Sequence, residues 1–528
     1  MKNNFKTGIS SIHRAGEIIF FAGALLIAFS LPLWNLGMSL GQFVMAGGWL
    51  MAGNLKGRLQ NAIRQPVFWL LTGLFLVHLT GLWNTEDFKY ASKDIRVKLP
   101  LLLMPLLFAA GPSLTAEQLR KLFYGLMVGV LLSTGAGMFA RWGWMGEPVT
   151  NYRQLSIFIS HIRLSLLIDV ALVMAFYLLS QSKSILQKIL FTAFICWCLY
   201  FLLLLQSITG IFLLSILLVA GLIYAVLTST NNIGRSLAGL VLLLFIFSGW
   251  KIYDYIFIQS IQEPVIHKEQ LHDLTARGNT YKNDWDRKDV EEGRYVWIQY
   301  NDLEIDTAWM KRSKQRVWYS DGRGQMQLVT LMRYLTYKGY SKDAAGVEQL
   351  STADIQNIEA GYPTPEYVRG ENNILFRFKE LGAEYRNYYF NNVSSGHTLA
   401  QRLEYWKTAY WIIAQHPFTG VGTGDVPTAF QEAYESRNSS LTKEWRLRAH
   451  NQYLSLGVAF GWPGMLLFIV VLLYTFKISF QRRDLVYFAF LLIAAGSFLN
   501  EDTLETQAGV TFYAFLNGMF LFRKEKEF

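Results

Sequence analysis

The sequence predicts an all-α polytopic membrane protein of about twelve transmembrane helices, with one large mixed loop between helices nine and ten. Three observations carry this. Hydrophobic residues make up 52% of the 528 and charged residues only 17%, against roughly 25% charged in soluble domains. The apolar residues come in long blocks, judged against the roughly 20 residues that cross a bilayer. Basic residues punctuate those blocks unequally on alternate sides. The same composition excludes a disordered chain, a collagen-like chain and a disulfide scaffold.

The expected spans centre on 18–34, 38–54, 66–83, 98–111, 122–140, 164–180, 189–206, 209–227, 235–258, 452–475, 485–499 and 507–522. No cleavable leader is expected, because the first apolar run ends in Trp34-Asn35 and not in small residues. With the N-terminus in the cytoplasm, the cytoplasmic segments hold 17 basic residues, Lys524 and Lys526 among them, and the short external loops hold 7. That asymmetry satisfies the positive-inside rule. The expected organisation is 1–258 as helices one to nine, 259–451 as a large loop outside the cytoplasm, and 452–528 as helices ten to twelve.

The net charge of +10 points to the lipid bilayer and not to nucleic acid, since the charges do not gather on a polar domain. The two cysteines, Cys196 and Cys198, lie two apart in one apolar run, on different sides of a helix. They offer neither a disulfide nor a zinc site. No metal and no cofactor is expected: the eight His are scattered, and Asp302, Glu304 and Asp306 fall in an expected strand-turn region without an EF-hand pattern.

Within 259–451, Arg294–Tyr300 reads as a strand, and Gln325–Tyr337 and Asp354–Ala360 read as helices. A loop this long is uncommon unless it is functional. Thr398-Leu-Ala-Gln401 fits a capping box opening an aromatic-rich helix that carries Arg402 and Trp406. Arg402 is either a snorkelling interfacial arginine or an anion ligand. Gly420-Val-Gly-Thr-Gly-Asp425 is either a tight connection between two interfacial helices or an anion cradle. His450-Asn451 stands where the loop enters helix ten, and an imidazole there is either structural or a general base. Gly461-Trp-Pro-Gly464 should break that helix. Arg153 and Arg163 flank the entry to helix six, as solvated charges or as ligands of an anion such as a pyrophosphate. Glu501-Asp502-Thr-Leu-Glu505 is an acidic external turn, either simply solvated or able to hold a cation or receive a sugar hydroxyl.

Taken together, Arg402-Leu-Glu-Tyr-Trp406, His416-Pro-Phe-Thr-Gly-Val-Gly-Thr-Gly-Asp425, His450-Asn-Gln-Tyr-Leu454 and Phe460-Gly-Trp-Pro-Gly-Met465 resemble the O-antigen ligase and polymerase-like membrane glycosyltransferase superfamily. His161-Ile-Arg-Leu-Ser165 looks like a further element of it, and residues 265–390 look like an insertion of one branch. The resemblance implies a metal-independent transfer at the periplasmic face of the bacterial inner membrane, and a single displacement there would invert the anomeric centre. The donor would be a glycan on undecaprenyl pyrophosphate, and the acceptor a hydroxyl of lipid A–core or another glycan. It implies His450 as the catalytic residue and Arg402 as a pyrophosphate ligand; Asn451, beside His450, would then orient the imidazole or the acceptor. The family's arginine in the turn between helices seven and eight is here Ile208; Arg163 or Arg153 then supplies the charge, or the donor is gripped differently. Alternatives are a repeat-unit polymerase, a protein O-glycosyltransferase, a polysaccharide transporter or a membrane-anchored binding protein.

Overall fold

The computed structural model describes residues 2–149, 151–370 and 374–523; Lys524 and Lys526 of the basic count lie outside them. Each of the twelve expected apolar segments is α-helical. Their lengths divide them. Among the described residues, seven helices are long and apolar enough to cross a membrane: Ser11–Ser30, Ala116–Arg141, His161–Gln181, Ile185–Leu205, Ile208–Thr228, Asn232–Ile261 and Gln452–Gln481. An eighth arises if Leu55–Ile63 and Pro66–Thr80, bent by 83°, act as one broken span. Four of the twelve expected spans fall short of that length: Asn35–Met51, Pro100–Ala110, Leu485–Asn500 and Gln507–Leu521. At 1.5 Å per residue an 11-residue helix such as Pro100–Ala110 reaches about half of a ~30 Å hydrocarbon core.

The chain divides into two compact units, 1–242 with 402–528, and 243–401. The unit boundary therefore falls before Arg402, and residues 402–451, read from sequence as loop, pack with the helical unit. Tyr405, Ile413, Phe430 and Tyr434 belong to its apolar core beside Val458, Phe468 and Phe515. Helix Asn232–Ile261 differs from the rest: no part of its apolar window is buried in the protein. An apolar helix open all round is suited to lipid.

Gly461 breaks helix Gln452–Gln481 at φ 66°, ψ −166°, as the Gly-Trp-Pro-Gly run anticipates. The freed Trp462 N–H donates to the Pro417 carbonyl at 2.8 Å.

The second unit has its own apolar core, around Val296, Trp297, Ile305, Trp309, Leu331, Tyr334 and Ile358. The strand expected over Arg294–Tyr300 is two short strands, Arg294–Tyr295 and Ile298–Tyr300. The first pairs with Val290–Glu291 and the second with Lys282–Asn283, both antiparallel. Between them Val296 and Trp297 are both buried, and the Val296 N–H donates to the Asp289 carbonyl while the Trp297 carbonyl accepts from Asp284, both at 2.9 Å. Asp302, Glu304 and Asp306 lie not in a strand-turn but in helix Asp302–Trp309, whose start is capped by Asn301; acidic residues suit that end of a helix dipole. The two expected helices are Gln327–Lys338 and Thr352–Glu359.

The capping box expected at Thr398–Gln401 is replaced by a more distant partner. Glu384 accepts the Leu399 N–H at 3.0 Å, and the Thr398 hydroxyl accepts from Arg377 at 2.8 Å.

Candidate active site

The arrangement starts from a backbone constraint. His450 has φ 45°, the left-handed region that costs a non-glycine residue about 1–2 kcal/mol. Asp502 holds it there. One carboxylate oxygen accepts the His450 N–H at 3.0 Å; the other accepts the Asn451 N–H at 2.9 Å and the Ser455 hydroxyl at 2.6 Å. The acidic turn 501–505 is thus a clamp on the start of helix Gln452–Gln481, and it fixes where the imidazole stands.

Glu501, next to the clamp, gathers the charged side chains. Arg402 Nη2 lies 3.2 Å from Glu501 Oε1, and His450 Nδ1 lies 3.7 Å from Glu501 Oε2. The charges of His450, Arg402 and Arg163 act on the Glu501 carboxyl; burial would raise its pKa, and these neighbours hold it below the ordinary glutamate range. For His450, burial works downward, and Glu501 and Asp502 more than offset it, so the imidazole is raised above its ordinary value. The ring of Tyr405 lies 5.5 Å from the imidazole, tilted by 33°. The Arg402 Nε is buried with no hydrogen-bond partner.

Arg163 stands in the first turn of helix His161–Gln181 and lines a small cavity with Thr503, Ala508 and Phe512. Two hydrogen bonds bring its surroundings to Glu501: Ser207 donates to Ser165 at 2.8 Å, and Asn500 donates to Thr209. The turn that carries Ile208 therefore abuts both the Arg163 turn and the residue before Glu501. Arg153 is elsewhere, exposed in the turn Tyr152–Leu155, its guanidinium 5.6 Å from the Tyr152 ring. Asn451 is a helix cap: its Oδ1 accepts from Leu454 N at 3.1 Å and its Nδ2 donates to the Leu499 carbonyl at 3.1 Å. Of the five residues singled out from sequence, Arg402 and His450 meet at Glu501, and Arg163 lies near enough for its charge to act on that carboxylate. Asn451 supports them through the backbone, and no contact joins Arg153 to the cluster among the described residues.

A second, deeper cluster adjoins the first. Lys98, fully buried, lies 2.7 Å from Glu505 and 3.3 Å from Asp94, and donates to the Leu504 carbonyl at 2.7 Å. Arg448 lies 2.9 Å from Glu505 and donates to the Tyr90 hydroxyl at 3.0 Å. Burial would raise the Glu505 carboxyl, but Arg448 and Lys98 hold it well below its ordinary range. Sequence reading singled out the acidic turn without assigning these partners.

The glycine-rich turn is a packing junction. Val421 and Gly422 donate their N–H groups to Val458 and Ala459, both at 2.9 Å. Thr423 donates its N–H to the Gly81 carbonyl and its hydroxyl to the His78 carbonyl. Asp425 accepts the N–H groups of Glu86 and Asp87, each at 2.8 Å. At Gly420, φ is 63° and a Cβ would fall 2.3 Å from the Ala459 backbone. The glycines serve close approach, and the donors of an anion cradle are already engaged.

Chemically, the outer cluster offers an imidazole oriented by a carboxylate, with arginines beside it. Nδ1 faces Glu501, so Nε2 is the nitrogen left to exchange a proton with a ligand. The family model described as O-antigen ligase matches residues 373–469, a stretch that holds Arg402, the glycine-rich turn, His450 and Asn451 and stops short of Glu501 and Glu505. No curated protein matches the chain.

Proposed function

We propose, from the match of residues 373–469 to the O-antigen ligase family model, that the chain is a member of that family and transfers a glycan from undecaprenyl pyrophosphate to a hydroxyl of lipid A–core, at the periplasmic face of the inner membrane. The family match and the multiple apolar helices support a multi-pass membrane protein with ligase-type glycosyltransferase character. The observation that supports the finer reading is the meeting of Arg402 and His450 at Glu501, with the charge of Arg163 close by.

In this reading the acceptor hydroxyl gives its proton to His450 Nε2 as its oxygen attacks the anomeric carbon. The bond from that carbon to the pyrophosphate oxygen breaks, and undecaprenyl pyrophosphate leaves with the electron pair. A single displacement inverts the anomeric centre. The negative charge gathering on the leaving group needs cations, and in this reading Arg402 and Arg163 supply them. A guanidinium has five donors, so Arg402 can keep Glu501 while holding phosphate oxygens. Glu501 fixes the tautomer of His450 and stabilises the imidazolium that forms, and Asn451 orients it through the helix start.

The test is purified full-length protein with a lipid-linked glycan, offered lipid A–core, no acceptor, or a peptide. Transfer to lipid A–core is expected. Product from donor alone would make it a polymerase, product on the peptide a protein glycosyltransferase, and flux across vesicles without product a transporter. The periplasmic side is tested separately by impermeant thiol labelling of a Ser341→Cys variant. Labelling only after lysis would reverse the orientation.

A further inference from the structure

The unit 243–401 contains a cavity of about 600 Å³, within the range of small-molecule sites, that plays no part in the reading above. Its walls combine aromatic rings with charged groups. Tyr255, Tyr337, Tyr367 and Phe376 line it, and Tyr255 is 40% exposed.

The charges have a telling arrangement. Glu291 lies 2.8 Å from Arg333, and Lys379 lies 2.9 Å from Glu366 and 3.8 Å from Glu292. Glu263 lies 3.0 Å from Lys288, and Glu380 lies 2.7 Å from Arg377. Every lining carboxylate therefore has a cation beside it. Lys379 serves two of them, and the lining Arg386 brings the cations to five against five carboxylates, so the wall has no net charge to select a cationic or an anionic ligand.

What the ion pairs leave open is hydrogen-bonding capacity. A carboxylate has about four acceptor positions, and one ion pair does not fill them. Arg386, another lining residue, donates to the carbonyls of Lys288, Ser260 and Gln262, while its Nη2 is buried without a partner. Neutral hydroxyl groups match such a wall, because each can donate to a carboxylate and accept from a lysine or arginine. Rings exposed beside them suit the apolar faces of a sugar, which has the amphipathic character that aromatic side chains share.

We infer that this cavity is a saccharide-binding cleft, separate in its residues from the Glu501 cluster, that holds a neutral stretch of glycan. The inference rests on the glycan-transfer reading for the choice of saccharide as ligand class. Its role would be to retain a polyhydroxylated, lipid-free stretch of glycan.

The test uses the full-length protein in detergent on an array of neutral and acidic oligosaccharides released from bacterial surface polysaccharides, with a quaternary ammonium compound as a cationic probe. Binding of neutral oligosaccharides is expected. Tyr255→Ala and Glu366→Gln should weaken it about tenfold, the scale of one aromatic contact, while Tyr255→Phe, which keeps the ring, should bind as the parent does. Arg402→Ala should leave binding of these lipid-free glycans unchanged. The inference is overturned by binding of the ammonium probe in place of sugars, or by no binding of either. It is also overturned if binding is lost in Arg402→Ala but kept in Tyr255→Ala. Transfer is assayed on the same preparations. Sugar binding without any transfer would remove the transferase reading and leave the cleft, and transfer without sugar binding would do the reverse.

Discussion

Glu501 and Glu505 are the same residue type, four apart in one turn, and they do opposite work. Glu505 is closed: its side chain is 9% exposed, and Lys98, Arg448 and Gln452 occupy both of its oxygens. Glu501 is open: its side chain is 22% exposed, it faces an imidazole that is 34% exposed, and Arg402 shares it. A charge network whose donors and acceptors are all used sets a position in the fold. One that leaves an imidazole nitrogen and a guanidinium edge unused is available to a substrate. The glycine-rich turn extends the contrast, since it has the look of an anion cradle and the bonding of a structural joint.

The comparison breaks most visibly at His450. His450→Ala should lower turnover by about 10²–10⁴-fold, the worth of general-base assistance, with donor affinity retained because the arginines are intact. Turnover and donor binding on folded, monodisperse protein decide this. Near-parental turnover would place His450 with Glu505 among the structural residues. Glu505→Ala should act on the fold instead. It leaves Lys98 and Arg448 buried beside a missing counter-charge, a change that typically costs about 3–5 kcal/mol, read as a lower Tm and poor expression. A Glu505→Ala protein that melts like the parent yet does not turn over would erase the distinction.

The sequence exposes half of this contrast. The apolar blocks mark all twelve helices because continuous apolarity is a local signal. Four of them are shorter than a span because the apolar runs themselves are short, as between Lys98 and Gly111 around helix Pro100–Ala110. The charges are visible too, but their pairing is not. Lys98 meets Glu505 across 407 positions of chain, and nothing local says which carboxylate of the acidic turn will be buried. Thr398 shows the same failure on a smaller scale: its capping pattern is present, yet the Glu384 carboxylate, brought in by the preceding helix, takes the Leu399 N–H. Arg402 and His450 are legible through the motif resemblance, and Glu501 as the residue that joins them is not.

Arg402 sharpens the comparison from the cationic side. Arg402→Lys keeps the charge, and a structural ion pair to Glu501 would tolerate it. Planar, bidentate recognition of a phosphate would not. Loss of one charged hydrogen bond is worth roughly 1.5–3 kcal/mol, or about ten- to a hundredfold. We expect weaker donor binding by that factor, with Tm unchanged. Parental affinity in Arg402→Lys would leave the pyrophosphate to Arg163 alone.

The smallest expected effect is the most specific to Glu501. His450 must be neutral to accept a proton, and its folded pKa is raised because Glu501 and Asp502 outweigh the effect of burial. The acid limb of the pH–rate profile should therefore lie above the ordinary imidazole value of about 6.5. Glu501→Gln keeps the shape and removes one negative charge. The His450 pKa then falls, and the acid limb moves to lower pH while the plateau rate drops because the imidazolium is less stabilised. Stability follows the same sign. A group whose folded pKa is raised adds stability that is fully present below its unfolded value, near 6.5, and disappears as pH rises through the folded value. The parent should show that decline in Tm on passing into the alkaline range, and Glu501→Gln should show less of it. An acid limb that stays in place in Glu501→Gln would mean that Glu501 does not govern the proton on His450, and the open carboxylate would then be only a holder of Arg402.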